Sequence, residues 1–369
     1  MAMAAAGSSS VYRFIAMDVQ QQRSSVLSAA RCAPATAGHC LCRIAFCHGT
    51  LCFPGSKGVG QMKRFISADR ARNVLPLAMG GLVALLACIG TTQAAPIGKP
   101  GQLQVEVVGS GKPVLMIPGL NSGAEVWRAT CAALQPQVQC HLVQLPGFAG
   151  AAAADPLPED FLPAMRDELL AYAKAQKLKQ PAVVGHSLGG VLALQMAIAA
   201  PEAVGPLVIV DSLPFYAAIQ NPQTTAAGVK PMADQMRAGM LAADPVAYQA
   251  QAEAALRGML HDESHMPVLV RWARESDRAT TAGAMHSMLV NDLRDAVAGI
   301  HSPTLVLGSW TAYRPMGATE ASTRGIFAAQ YAKLPGVRIE MSAEGFHFLM
   351  WDDPQWLYGR IRSFLKTTD

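Results

Sequence analysis

A chain of 369 residues in which 51% are hydrophobic and 15% charged, with mean hydropathy +0.22, carries enough apolar side chain to bury a core, which excludes intrinsic disorder. Its net charge of +4 is too mild for a nucleic-acid-binding stripe, and 6% aromatic residues supply no platform for stacking bases. Lys174, Lys177 and Lys179 lie on one helical stretch and read as a solvated face.

The first hundred residues do not read as a folded domain. Cys32, Cys40, Cys42, Cys47 and Cys52 crowd a segment with no paired zinc-ligand spacing and no periodicity, and residues 1–61 hold one acidic residue, Asp18. At Met62 a basic stretch begins with Lys63 and Arg64. An apolar run from Val74 to Ile89 follows, then the small-residue end Thr92-Gln93-Ala94-Ala95. That order is the signature of a secretory signal peptide over 62–94. A membrane span needs about 20 apolar residues. This run is shorter and contains Pro76, Gly80 and Gly81. The expectation is therefore an exported protein, secreted or periplasmic, with no stable membrane span once the signal is cleaved. Residues 1–61 are expected to be a non-native or disordered leader, with an organelle transit peptide as the alternative. Lipid anchoring at Cys88 is disfavoured by Leu86, which is large for a lipoprotein site. Export would let Cys131 and Cys140 pair, the other reading being two buried thiols.

From Gln102 the pattern becomes regular over the expected domain, 95–369. Leu103–Val108 alternates as a strand. Val114–Ile117 is a short continuous apolar run, as in a strand buried on both faces. Further strands are expected over Cys140–Leu145, Ala182–Val184, Leu207–Val210, Thr304–Leu307 and Val337–Met341. Helices are expected over Glu159–Lys177, Leu188–Ala200 and Pro354–Leu365. Strands alternating with helices specify an α/β fold with a mostly parallel sheet covered on both faces. The interval 212–300 breaks this alternation. It shows only helical patches, near Pro231–Ala243, Asp244–Leu260, Pro267–Ser276 and Ala282–Val297, and reads as a helical cap.

Gly185-His186-Ser187-Leu188-Gly189 lies between a strand and a helix, the context in which G-x-S-x-G forms a nucleophile elbow. A serine hydroxyl attacks only when it is exposed, held and deprotonated by a base. The sharp turn supplies exposure, and its strained backbone requires glycine on either side.

With this elbow, Ile117-Pro118-Gly119-Leu120-Asn121 after an early strand and Gly345-Phe346-His347-Phe348 near the end, the chain resembles the α/β-hydrolase superfamily in its lid-bearing serine-hydrolase branch. The resemblance covers about Gln102 to Leu365. It implies an eight-stranded, mostly parallel sheet and a triad in the order nucleophile, acid, histidine. Ser187 is then the nucleophile and His347 the base. The family often places the acid shortly after the strand at Thr304–Leu307, but Gly308 to Tyr313 contains no carboxylate. Asp211, at the end of the preceding strand, is the favoured acid, with Glu320 and Asp292 behind it. Asp352 and Asp353 read as caps of the final helix. The oxyanion hole requires two N–H donors. Leu188 supplies one and Leu120 the other, with Asn121 as second choice. Asn121, His186 and Trp310 are expected beside the substrate, and Phe215, Tyr216 and Tyr313 are further lining candidates.

No metal or cofactor is expected. His261 and His265 sit four apart around Asp262 and Glu263, but the order is not H-E-x-x-H and no third ligand follows. A serine at 187 excludes the carboxylate nucleophile of a dehalogenase or epoxide hydrolase. The reading is an exported serine hydrolase of carboxylic esters acting through an acyl-enzyme. Lactones, such as acyl-homoserine lactones, or amides are alternative substrates of the same triad. A non-catalytic binding protein on this fold is the alternative of another class.

Overall fold

The computed structural model describes residues 98–99 and 101–367, all within the unit Thr92–Asp369. The expected leader over 1–61, the signal segment over 62–94 and Cys88 lie outside the described residues.

Seven strands form one sheet: β1 Gln104–Gly109, β2 Lys112–Ile117, β3 Val138–Gln144, β4 Ala182–His186, β5 Leu207–Val210, β6 Thr304–Gly308 and β7 Arg338–Met341. Their spatial order is β1-β3-β2-β4-β5-β6-β7, with β1 antiparallel to β3 and every other pairing parallel. The count among the described residues is thus seven, one fewer than the eight implied by resemblance. The continuous apolar runs have a direct cause. Leu115 and Ile117 point into one core while Val114 and Met116 point into the other, so neither face of β2 meets water.

The helices are α1 Arg128–Leu134, α2 Phe161–Ala175, α3 Leu188–Ala199, α4 Ala226–Ala242, α5 Pro245–Leu256, α6 Met266–Glu275, α7 Arg278–Val290, α8 Glu320–Gln330, α9 Leu349–Asp352 and α10 Pro354–Thr367. Helix α2 buries Leu162, Met165 and Leu169 on one stripe, whereas every residue of α3 from Leu188 to Ala197 is buried. An apolar helix with no polar face belongs inside the molecule, and α3 packs on both α2 and β4. Helices α4 to α7, between β5 and β6, form the cap. Helix α4 begins five residues before Pro231, because Thr225 caps it by accepting from the Gly228 N–H. No helix among the described residues is long and apolar enough to cross a membrane.

Cys131 of α1 and Cys140 of β3 form a disulfide with Cα atoms 6.1 Å apart, and both are buried. Closing this short loop restricts the unfolded chain and should contribute about 2–3 kcal/mol. The Cys131→Ser/Cys140→Ser protein is expected to unfold at lower urea with an unchanged slope. An unchanged midpoint would show that the bridge contributes nothing to stability.

Candidate active site

The site is assembled at the carboxyl ends of the parallel strands. β4 ends at His186, and Ser187 then turns the chain into α3 with φ +53° and ψ −119°. A non-glycine residue at that φ is strained, and the surroundings must hold it. The Ser187 N–H donates to the Val210 carbonyl at 2.9 Å, while the N–H groups of Gly190 and Val191 donate to the Ser187 carbonyl. The flanking glycines leave no alternative. A Cβ at Gly185 would lie 2.2 Å from the Gly189 carbonyl oxygen, and one at Gly189 would lie 2.3 Å from that of Ile117.

Asp211 follows β5 and also has a left-handed backbone, φ +46°. Its N–H donates to the Leu307 carbonyl at 2.7 Å, which extends the β5–β6 pairing by one bond. Its Oδ1 accepts the Ser309 N–H at 2.8 Å, and its Oδ2 accepts the His347 Nδ1–H at 2.6 Å. The segment after it is anchored from α8. Gln330 bonds both the N–H and the carbonyl of Phe215, and the buried Tyr331 hydroxyl donates to the Ser212 carbonyl. Burial pushes the Tyr331 phenol well above its ordinary pKa, with the Asp211 charge adding to the effect, so it remains a donor.

His347 lies between β7 and α9, its side chain 25% exposed. Its loop is tied down by Asp352, whose Oδ2 accepts the Phe346 N–H and whose Oδ1 accepts those of His261 and Asp262. Asp352 therefore joins the cap to the histidine loop rather than capping the final helix. Asp353 accepts the Ser342 hydroxyl at 2.7 Å. His261 stacks on Phe346 and His265 on Trp351.

The loop after β2 passes directly over the elbow. A Cβ at Gly119 would sit 3.0 Å from His186 Nδ1 and 3.2 Å from Ser187 Cβ, so a side chain there would push on both residues and glycine gives the closest approach. Leu120 is half-buried against the core, and Asn121 adopts φ +57°. The Thr281 hydroxyl of α7 lies 2.7 Å from Asn121 Oδ1, linking this loop to the cap. Leu188 opens α3, where first-turn N–H groups have no intrahelical acceptor.

The remaining expected residues fall in different places. His186, expected beside the substrate, is 1% exposed. Its ring packs against those of His347 and Phe348, with centroids 4.5 and 4.9 Å away. Trp310 is half-buried under the Arg314 guanidinium. Phe215, one of the lining candidates, is fully buried in a small core of its own, whereas Tyr216 and Tyr313 are exposed. Glu320 pairs with Arg324 and Asp292 with Arg294, so neither fallback acid meets His347. A cavity of about 310 Å³ lies against β1, β3 and α6, bordered by Gln144, Glu106, Arg128 and Trp272 but not by Ser187, Asp211 or His347. Four of its charged side chains are paired, Glu106 with Arg128 and Glu125 with Arg271.

Two buried histidines give the fold a pH dependence of known sign. Burial lowers the pKa of His141, and lowers that of His186 far more, with the nearby His347 assisting. Both take up a proton less readily in the native state than in the unfolded chain, which does so near pH 6.5. Unfolding then binds protons, so this stability is complete above that pH and is lost as pH falls below it. The urea midpoint should hold between about pH 8 and 7 and drop by about pH 5.5. A midpoint that rose on acidification would contradict the assignment.

The family model described as "Alpha/beta hydrolase family" matches residues 114–360. A pimeloyl-[acyl-carrier protein] methyl ester esterase of Aeromonas hydrophila is 32% identical over 137 residues, 37% of this chain and 52% of that protein. The chain spans only 38–52% of the length of such curated relatives. Among solved structures, an esterase from Exiguobacterium antarcticum superimposes with a TM-score of 0.59 at 17% identity, covering 72% of this chain and 95% of that one. A hydrolase from Pseudomonas aeruginosa gives 0.58 at 22% identity, covering 71% and 94%. At such identities these structural likenesses establish the fold.

Proposed function

The chain belongs to the alpha/beta hydrolase family, and we propose that it is an exported serine hydrolase that cleaves small carboxylic esters through an acyl-enzyme. One observation carries the reading: the 2.6 Å hydrogen bond from His347 Nδ1 to Asp211 Oδ2, beside a serine held at φ +53° on a strand-to-helix elbow. With the Nδ1 proton committed to Asp211, His347 Nε2 carries a lone pair and takes the Ser187 hydroxyl proton. The oxygen bonds to the ester carbonyl carbon, and the developing oxyanion is met by the N–H groups of Leu188 and Leu120. The imidazolium returns its proton to the departing alkoxide, and the C–O bond breaks. Water then gives a proton to His347 and attacks the acyl-enzyme. Ser187 recovers its proton as the carboxylic acid leaves. Asp211 stays ionised throughout and stabilises the imidazolium.

The methyl ester esterase among the curated relatives supports an ester substrate. The Cys131–Cys140 bridge supports an oxidising compartment, in line with export from a signal segment starting at Met62. Residues from Ala95 onward should hydrolyse p-nitrophenyl esters, tested from acetate to palmitate, and a fluorophosphonate probe should label Ser187. Ser187→Ala should abolish both. If a folded protein turned over no ester and took no label, the reading would fail, and lactones and amides would be assayed next. N-terminal sequencing of the exported protein should find a start near Ala95.

A further inference from the structure

His186 occupies an unusual position for a side chain with no step of its own in the proposed reaction. It immediately precedes Ser187 on β4 and is in register with Val210, the residue before Asp211. At 1% exposure its ring is enclosed by the base loop on one side and the loop after β2 on the other. Nε2 lies 2.9 Å from the His347 carbonyl oxygen. A carbonyl only accepts, so Nε2 carries the proton. Nδ1 is buried with no hydrogen-bond partner and points at Gly119. A proton on Nδ1 would be a buried donor without an acceptor, on a ring that would then be charged. The geometry therefore selects one species, the neutral ring protonated at Nε2.

We propose that His186 is a positioning residue that acts through His347: its Nε2–H holds the His347 carbonyl, and with it the imidazole, at a set distance from Ser187. This deepens the serine-hydrolase reading and rests on it. The base loop, the loop after β2 and the elbow come from distant stretches of chain, and the His186 ring packs on the first, faces Gly119 of the second and precedes Ser187 of the third. One donor in a rigid, dry position fixes the loop that carries the base, where an ångström of drift would be costly. Burial supports this, since it drives the ring's pKa far below the ordinary value and keeps the same species through the working pH range. It also accounts for Gly119, because any Cβ there would press on the ring at 3.0 Å.

Two variants separate the donor from the packing. His186→Leu fills similar volume without an N–H, while His186→Gln can place an N–H near the position of Nε2. With a p-nitrophenyl ester, His186→Leu is expected to lower kcat about tenfold to a hundredfold with KM within about twofold. His186→Gln should recover most of that loss. The acid limb of the pH profile of kcat/KM should move in His186→Leu and return in His186→Gln. Nitrogen NMR of the wild-type protein provides a test that needs no variant: His186 should show a protonated Nε2 and a bare Nδ1 from about pH 6 to 8. The opposite tautomer, a doubly protonated ring, or a folded His186→Leu protein with wild-type kcat and pH profile would overturn the proposal. So would a His186→Gln protein no better than His186→Leu. Ser187→Ala in the same assay separates the two readings. Lost activity there beside a normal His186→Leu removes only the positioning role, whereas retained activity removes both.

Discussion

Asp211→Asn is expected to lower kcat by about three to four orders of magnitude with little change in KM. The size follows from how the carboxylate is held. Oδ1 accepts the Ser309 N–H at 2.8 Å, and Oδ2 accepts the His347 Nδ1–H at 2.6 Å. An asparagine has one acceptor oxygen, and the Ser309 amide, fixed at the end of β6, requires it. The NH₂ group is then turned toward His347, donor against donor. The imidazole relieves this by moving its proton to Nε2, the nitrogen that must be bare to accept from Ser187. Substrate binding is untouched because Asp211 does not contact the substrate in this mechanism. Steady-state kinetics with a p-nitrophenyl ester check the expectation, and a variant within about tenfold of wild type would remove Asp211 from the triad. Glu320→Ala and Asp292→Ala should stay within about twofold, since those carboxylates pair with Arg324 and Arg294.

Gly189→Ala is expected to cost about 3 kcal/mol or more in stability. The new methyl would lie 2.3 Å from the Ile117 carbonyl oxygen and 2.6 Å from that of Pro118. Both are backbone atoms at the end of β2, so no rotamer can swing away. Relief requires α3 to move off the sheet, and α3 is buried on all sides. The displaced loop is also the one that carries Gly119 and Leu120, so activity should fall with stability. Gly325→Ala is the contrast: this glycine lies in the exposed part of α8 with nothing within 4 Å of the added Cβ. There the substitution should stabilise by about 0.5–1 kcal/mol by restricting the unfolded chain. Urea denaturation of both proteins measures the difference. A Gly189→Ala midpoint near wild type would show that the elbow tolerates far more movement than these contacts allow.

Chemistry carried by neighbours in the chain is legible in the sequence. The strands of the parallel sheet announce themselves as short apolar runs because both faces are covered, and α3 follows its strand after the single residue Ser187, with glycines at 185, 189 and 190. The elbow is likewise a local object, since its strain, its glycines and its serine are consecutive. Three helices carry too little signal to be expected: α1, α8 and the single-turn α9. α1 is a short seven-residue segment, and α8 reads Glu-Ala-Ser-Thr-Arg-Gly, a run with a glycine and small polar residues that carries little periodic signal. α8 is stable because Phe327, Gln330 and Tyr331 are buried by the rest of the fold.

What the sequence by itself determined was the class of fold, the elbow and the short list from which an acid and a base could be drawn. The tertiary structure alone decided which carboxylate meets His347, because the partners are 136 residues apart and no spacing rule connects them. It also decided that Asp352 ties the cap to the histidine loop and that His186 faces inward, toward the loop of the base. Periodicity records which side of an element is apolar. A hydrogen bond between loops depends on where strand ends and cap legs come to rest, which is fixed only when the whole sheet has packed.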